Sequence, residues 1–131
     1  MNALLSLSAV SKRFRGLIAV DNVSFEVPEG ALFAVIGPNG AGKTTLFSMI
    51  AGAMAPTDGT IIFAGAPIGG LSPDAVCRRG IGRTFQIVRP FPALTVEDNV
   101  VVGALLRHRD VADAPHRRPR RYVACHSKYP G

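Results

Sequence analysis

An apolar run, Ala31-Leu32-Phe33-Ala34-Val35-Ile36, leads directly into Gly37-Pro38-Asn39-Gly40-Ala41-Gly42-Lys43-Thr44 and then into Thr45-Leu46-Phe47-Ser48-Met49-Ile50. Few short patterns restrict a fold as much as this one. It reads as a strand, a glycine-rich turn and the start of a helix, the context in which G-x-x-x-x-G-K-[ST] forms a phosphate cradle. Gly37, Gly40 and Gly42 are expected to take backbone angles closed to residues with a Cβ, so that consecutive N–H groups turn inward on an anion. That anion would also lie at the positive end of the following helix. Lys43 offers an ammonium to terminal phosphates, and the Thr44 hydroxyl can ligate an accompanying Mg²⁺.

The flanking sequence supplies the rest of an α/β domain. Alternation of apolar and small polar residues predicts half-exposed strands at Leu5-Ser6-Leu7-Ser8-Ala9-Val10 and Val23-Ser24-Phe25-Glu26-Val27. Ser11 to Gly16 reads as a short polar loop holding one aromatic, Phe14, which the residues alone leave open between core and ligand platform. Ala31 to Ile36 is apolar on both faces and predicts a central strand of a parallel sheet. The helix after the glycine loop is expected to run to about Ala53. Thr60-Ile61-Ile62-Phe63 reads as a strand, and Ser72-Pro73-Asp74 as a helix start with Pro at its first position. That helix should end near Arg78-Arg79-Gly80. Ile81 to Phe85 predicts another short strand, and Thr95-Val96-Glu97-Asp98 a capping box opening a helix through Leu106. Val96, Val100, Val101 and Leu105 fall on one stripe of it.

Charge and cysteines narrow the function classes. The net charge of +6 looks like a nucleic-acid signal until it is located. Residues 1 to 106 hold 8 Lys and Arg against 7 Asp and Glu, whereas residues 107 to 131 hold 7 against 2. The basic character belongs to the tail, and disorder is expected there because it lacks amphipathic period and large apolar groups. An arginine-rich nucleic-acid arm is the rival reading of that tail. His116, Cys125 and His126 have a spacing that fits no zinc pattern. Cys77 and Cys125, far apart and outside any C-x-x-C, read as free thiols in a reducing compartment. No apolar run approaches the length of a membrane span, and the first residues carry no positive charge ahead of their apolar stretch, so a cytosolic location is expected. An independent P-loop kinase or GTPase would need an acceptor or base motif such as N-K-x-D, and the sequence holds none.

Taken together, the glycine loop, the Thr60 to Phe63 strand and the Gln86 segment resemble the ATP-binding subunit of an ABC transporter. Gly37 through Leu46 is similar to that family's Walker A segment throughout. Gly80-Ile81-Gly82-Arg83-Thr84-Phe85-Gln86, with Arg89-Pro90-Phe91 and Leu94 to Val100, resembles the branch that energises import of branched-chain and other hydrophobic amino acids. The resemblance implies a P-loop NTPase (RecA-like) α/β core with an antiparallel β-subdomain. Residues 1–106 would form the N-terminal part of the domain, incomplete after the Q-loop. It implies ATP and Mg²⁺ as ligands, with Gly37, Pro38, Asn39, Gly40, Ala41, Gly42, Lys43, Thr44 and Thr45 around the phosphates. Phe14 would stack on adenine, Thr44 and Gln86 would meet the metal, and Lys43 and Gln86 would take part in hydrolysis. Arg15 stands where this branch commonly has glycine. The implied partners are a second ATP-binding subunit, head to tail, and transmembrane permease subunits, on the inner face of the plasma membrane; nucleic acid is disfavoured.

Beyond Gln86 the sequence departs from that pattern. It has no LSGGQ-like string, no apolar run ending in Asp-Glu and no switch histidine; no role carries over to His108, His116 or His126. The expectation is a truncated or frameshifted product that keeps the nucleotide-contacting half, with poor turnover because the metal-holding Asp and the general base are missing.

Overall fold

Sequence periodicity accounts for the antiparallel sheet at the centre of the computed structural model, which describes residues 3–85, 87, 89–108 and 123–126. Strand β1 (Ala3–Phe14) lies between β2 (Leu17–Pro28) and β3 (Asp58–Phe63), and a two-residue β4 (Ala66–Pro67) completes the order β2-β1-β3-β4. In the first half of β1, Leu5 and Leu7 are buried while Ser8 points to solvent. Ala9 then takes φ 50°, the register shifts, and Val10 and Ser11 are buried instead. Such an irregularity re-aims the strand. It is held by the Ala9 N–H donating to Ser24 Oγ at 2.8 Å and the Asn22 N–H donating to Ser11 Oγ at 2.9 Å. Gly59 of β3 passes so close that a Cβ would sit 2.4 Å from the Ala9 carbonyl oxygen, and its φ is +87°.

Both first strands are longer than alternation predicts. The expected loop from Ser11 to Gly16 shrinks to Arg15-Gly16, with φ of 38° and 92°, and Ser11 to Phe14 continue β1. Two positive φ values in a two-residue connection match the twist of the flanking strands, so the hairpin closes tightly.

One side of this sheet packs on helix α1 (Lys43–Ile50) through Leu46, Met49 and Ile50, joined by Leu5, Leu7, Val10, Val20, Ile61 and Phe63. The helix stops at Ile50 and not near Ala53. Gly52, at φ +78°, closes it in a Schellman arrangement: Ala53 N–H donates to the Ser48 carbonyl at 2.9 Å and Gly52 N–H to the Met49 carbonyl at 3.3 Å. Helix α2 (Pro73–Arg78) starts after Ser72, as expected, but the Ser72 hydroxyl donates to Asp74 and caps no helix N–H. That bond and the Arg78 guanidinium at 2.7 Å hold the Asp74 carboxyl below the usual carboxylate range.

Three expectations need correction. Ala31 to Ile36 forms no ladder: no described strand flanks it, and an apolar segment without a hydrogen-bonding neighbour cannot be a sheet's centre. Phe33 stacks on Phe25 of β2 at 4.9 Å and Val35 touches the core, while Leu32 and Ile36 are fully exposed or nearly so. Second, within the tail expected to be disordered, residues 123–126 form β6 (Val123–His126), paired in parallel with β5 (Ile81–Thr84), while 109–122 and 127–131 lie outside the described residues. Among the described residues β5 has no other strand beside it, and Val123–His126 pairs with one of its edges. Third, helix α3 (Val96–His108) begins with the expected capping box, Asp98 N–H donating to Thr95 Oγ1 at 3.1 Å, yet its stripe of Val96, Val100 and Val101 faces solvent. Among the described residues no helix is long and apolar enough to cross a membrane.

Candidate functional site

The glycine loop is built against β2. Gly42 adopts φ +89° immediately before α1, and a Cβ there would lie 2.1 Å from the Ala19 carbonyl oxygen and 3.2 Å from Val20 Cγ2. Only glycine meets both demands, a left-handed backbone and contact with a neighbouring strand. Gly40 is also left-handed, at φ +83°. Gly37 is not; its role is spatial, since a Cβ would come 3.3 Å from Ala41 Cβ. Inside the loop, Ala41 N–H donates to the Pro38 carbonyl at 3.2 Å, and the first bond of the helix is Leu46 N–H to the Gly42 carbonyl at 2.9 Å.

The N–H groups of Lys43, Thr44 and Thr45 therefore precede the helical ladder, α1 carries no acidic residue in its first turn, and no side chain caps it. A helix end left in this state favours an anion. Lys43 folds back over the loop, its Nζ donating to the carbonyls of Gly37 and of Pro38. Those bonds hold the ammonium at the mouth of the loop. Thr44 is exposed beside it and Thr45 half-buried. Asn39 is exposed at the crest of the turn.

Phe14 is at the end of β1, next to the hairpin turn, and remains 43% exposed. The hairpin joins this aromatic to the loop: Lys12 pairs with Val20 and Phe14 with Leu17, and the intervening Ala19 is the residue against which Gly42 packs. Phe14 and the glycine loop, separate in sequence, thus share one support. Gln86 lies outside the described residues, and nothing in the geometry here bears on it.

Two contacts at this support have no sequence signature. Arg83 of β5 donates from Nη1 to Ser48 Oγ of α1 at 2.9 Å, and its guanidinium carbon lies 5.0 Å from the Phe85 ring centroid. The phosphate-loop helix is thereby tied to the strand that leads toward Gln86. Lys12 donates from Nζ to the Ala55 carbonyl at 2.6 Å and lies 5.3 Å from the Phe14 ring centroid. Neither the arginine in G-R-T nor the lysine in S-K-R carries a local signal of its contact, because the partners are 35 and 43 residues away.

The chain as a whole is similar to known proteins. The ABC transporter family model matches residues 20–128. The chain is 46% identical over 100 residues to the high-affinity branched-chain amino acid transport ATP-binding protein LivG of Salmonella typhimurium, covering 76% of this chain and 39% of that protein. Against BraF of Pseudomonas aeruginosa, also a high-affinity branched-chain amino acid transport ATP-binding protein, it is 43% identical over the same coverage. The sulfate/thiosulfate import ATP-binding protein CysA of Mycobacterium bovis is 41% identical over 113 residues, 86% of this chain and 31% of that one. Among solved structures, an ATP-binding cassette of an ABC transporter in its ADP conformation superimposes with a TM-score of 0.72 at 29% identity, over 91% of this chain and 49% of that chain. A dimeric cassette in a post-hydrolysis state bound to ADP and Pi gives 0.70 at 28% identity, over 80% of this chain and 48% of that one. The chain spans about two fifths of the length of the branched-chain amino acid relatives it matches.

Proposed function

The chain belongs to the ABC transporter family, and from that premise we propose that it is the nucleotide-holding part of an importer's ATP-binding subunit, with branched-chain amino acids as the transported class. The observation that carries the nucleotide reading is the loop of Gly37 to Thr44: a turn left-handed at Gly40 and Gly42 and braced on β2 at Gly42, an open helix end without acid, and a lysine ammonium held at its mouth. In this reading the N–H groups of Lys43 to Thr45 would face the phosphates, and Lys43 would exchange its carbonyl partners for phosphate oxygens. The exposed Thr44 hydroxyl would hold Mg²⁺ together with Gln86; the metal supplies charge neutralisation on the phosphates. Phe14, exposed on the same support, would stack on the base.

The solute class is supported by the two branched-chain amino acid relatives at 43 to 46% identity. What they share with the sulfate importer is the ATP end, and the solute itself would be selected by permease and binding partners. A second cassette, head to tail, would complete each nucleotide site, in keeping with the dimeric cassette bound to ADP and Pi. Binding would close that dimer on the cytoplasmic face and hydrolysis reopen it. Since the sequence after Gln86 has no signature string and no apolar run ending in Asp-Glu, the 131-residue chain should bind MgATP and turn it over poorly.

Titration of ATP with Mg²⁺ into the purified chain tests this. Lys43→Ala should weaken binding about tenfold or more, the scale of one hydrogen-bonded charge, with an unchanged circular dichroism spectrum. Equal affinity in both proteins would sink the nucleotide reading, and brisk hydrolysis by the monomer would sink the statement about turnover.

A further inference from the structure

The Lys12 side chain is engaged at both ends of a short bridge. Its Nζ donates to the Ala55 carbonyl just beyond α1, and the same ammonium lies 5.3 Å from the centre of the Phe14 ring. A solvent-exposed lysine ordinarily keeps its rotamer freedom, and fixing it opposes that entropy. Lys12 and Phe14 stand two apart on β1, on the same face of the strand, which makes the contact a consequence of register. The backbone beside them is fixed as well: Arg13 N–H donates to Thr57 Oγ1 at 3.1 Å and Thr57 N–H to the Ser11 carbonyl at 2.8 Å.

We infer that Lys12 is a positioning residue for base recognition: its ammonium holds Phe14 from one face, anchored on the Ala55 carbonyl, and leaves the other face open to a stacked purine. The inference rests on the proposed nucleotide reading and deepens it. A cation within about 6 Å of an aromatic centroid is attracted to the negative face of the ring. It draws π density toward itself, so an electron-rich base approaching the opposite face meets less repulsion. The anchor matters as much as the charge. Ala55 follows the Schellman turn that closes α1, so the lysine ties the aromatic platform to the helix whose other end carries the phosphate loop. Arg13 and Arg15, the neighbouring cations, are exposed. Phe14 keeps 43% of its surface accessible, enough for one open face.

The test compares two probes on the full 131-residue chain by calorimetric titration in the presence of Mg²⁺: ATP, and inorganic tripolyphosphate, which has the charge without the base. Lys12→Met keeps the length of the stem and removes the ammonium. It should weaken ATP binding about fivefold and leave tripolyphosphate binding unchanged, the range expected for one cation–π contact at a partly exposed site. Lys12→Arg, which keeps both a cation for the ring and N–H donors for the Ala55 carbonyl, should lose less ATP affinity than Lys12→Met. In a Phe14→Leu background the Lys12→Met effect should disappear. Equal weakening of both probes, no weakening of either, or an effect that persists without the ring would each overturn the inference. A wild-type chain that binds neither probe would instead overturn the nucleotide reading beneath it.

Discussion

Strand β1 alternates apolar and polar residues while the segment Ala31 to Ile36 is apolar throughout, yet it is β1 that is buried. Leu4, Leu5, Leu7 and Val10 of β1 are buried, whereas Leu32 is fully exposed and Ile36 is 93% exposed. The difference lies in their neighbours. β1 has β2 on one edge, β3 on the other and α1 across one face. Among the described residues, Ala31 to Ile36 has Phe25 stacked on Phe33, a partial core contact at Val35 and the Ala31 N–H donating to the Pro28 carbonyl. Hydrophobic sequence becomes a core only where other described elements present surface to it. The glycine loop joins the two regions: its downstream end is fixed by α1 and by Ala19, and its upstream end hangs from the weakly held segment.

The strongest way to break this contrast is on the packed side. Met49 is completely buried, so Met49→Ala should cost about 2–5 kcal/mol, read as a lowered midpoint in urea unfolding. For a chain of this size that is a large share of total stability. A loss below about 1 kcal/mol would mean that α1 is not seated on the sheet in solution, and the distinction between the two regions would fail with it.

Next in size is the junction. Gly42→Ala would place a methyl 2.1 Å from the Ala19 oxygen at a φ of +89°, which no rotamer change can relieve. The loop must move away from β2, and ATP affinity should fall about tenfold or more, with a stability loss of about 1–3 kcal/mol. Gly40→Ala makes the control, since its Cβ would meet nothing within 4 Å and its cost comes from φ +83° alone, about 1–2 kcal/mol. If the two substitutions behaved alike, the close approach to Ala19 would have no part in shaping the loop.

How far these features could be read from the sequence follows from how local they are. The helix starts at Lys43, Pro73 and Val96 were legible because the signals, a glycine turn, a proline at the first position and a capping box, lie within four residues of each start. The phosphate loop was legible for the same reason. The end of α1 was not, because Gly52 acts through a bond between Ala53 and Ser48 that the pattern of apolar residues does not encode. Ser11 to Phe14 were misread as loop, since the Ala9 irregularity breaks the alternation that marks a strand. Lys12 and Arg83 escaped notice because their partners, Ala55 and Ser48, are 43 and 35 residues away. The pairing of β5 with β6 spans about forty residues and could not be foreseen from local pattern either.

The smallest expected effect separates the two regions most cleanly. Leu32→Ser and Ile36→Ser together remove two large apolar side chains, a change that would be severe in β1. Here neither side chain is covered by a described neighbour, so unfolding stability should shift by no more than about 0.5 kcal/mol. The quantity that should change is self-association, because an exposed apolar segment with open hydrogen-bonding edges is a template for other chains. Static light scattering of the parent chain should rise with concentration, and the double variant should flatten that rise. A stability loss above about 1 kcal/mol would instead place Leu32 and Ile36 in a packed environment, and the opposition between β1 and this segment would no longer hold. Because the same segment carries the upstream end of the phosphate loop, ATP affinity measured on the double variant also reports whether the loop depends on it. Bracing by Gly42 and α1 alone predicts an affinity within about twofold of the parent.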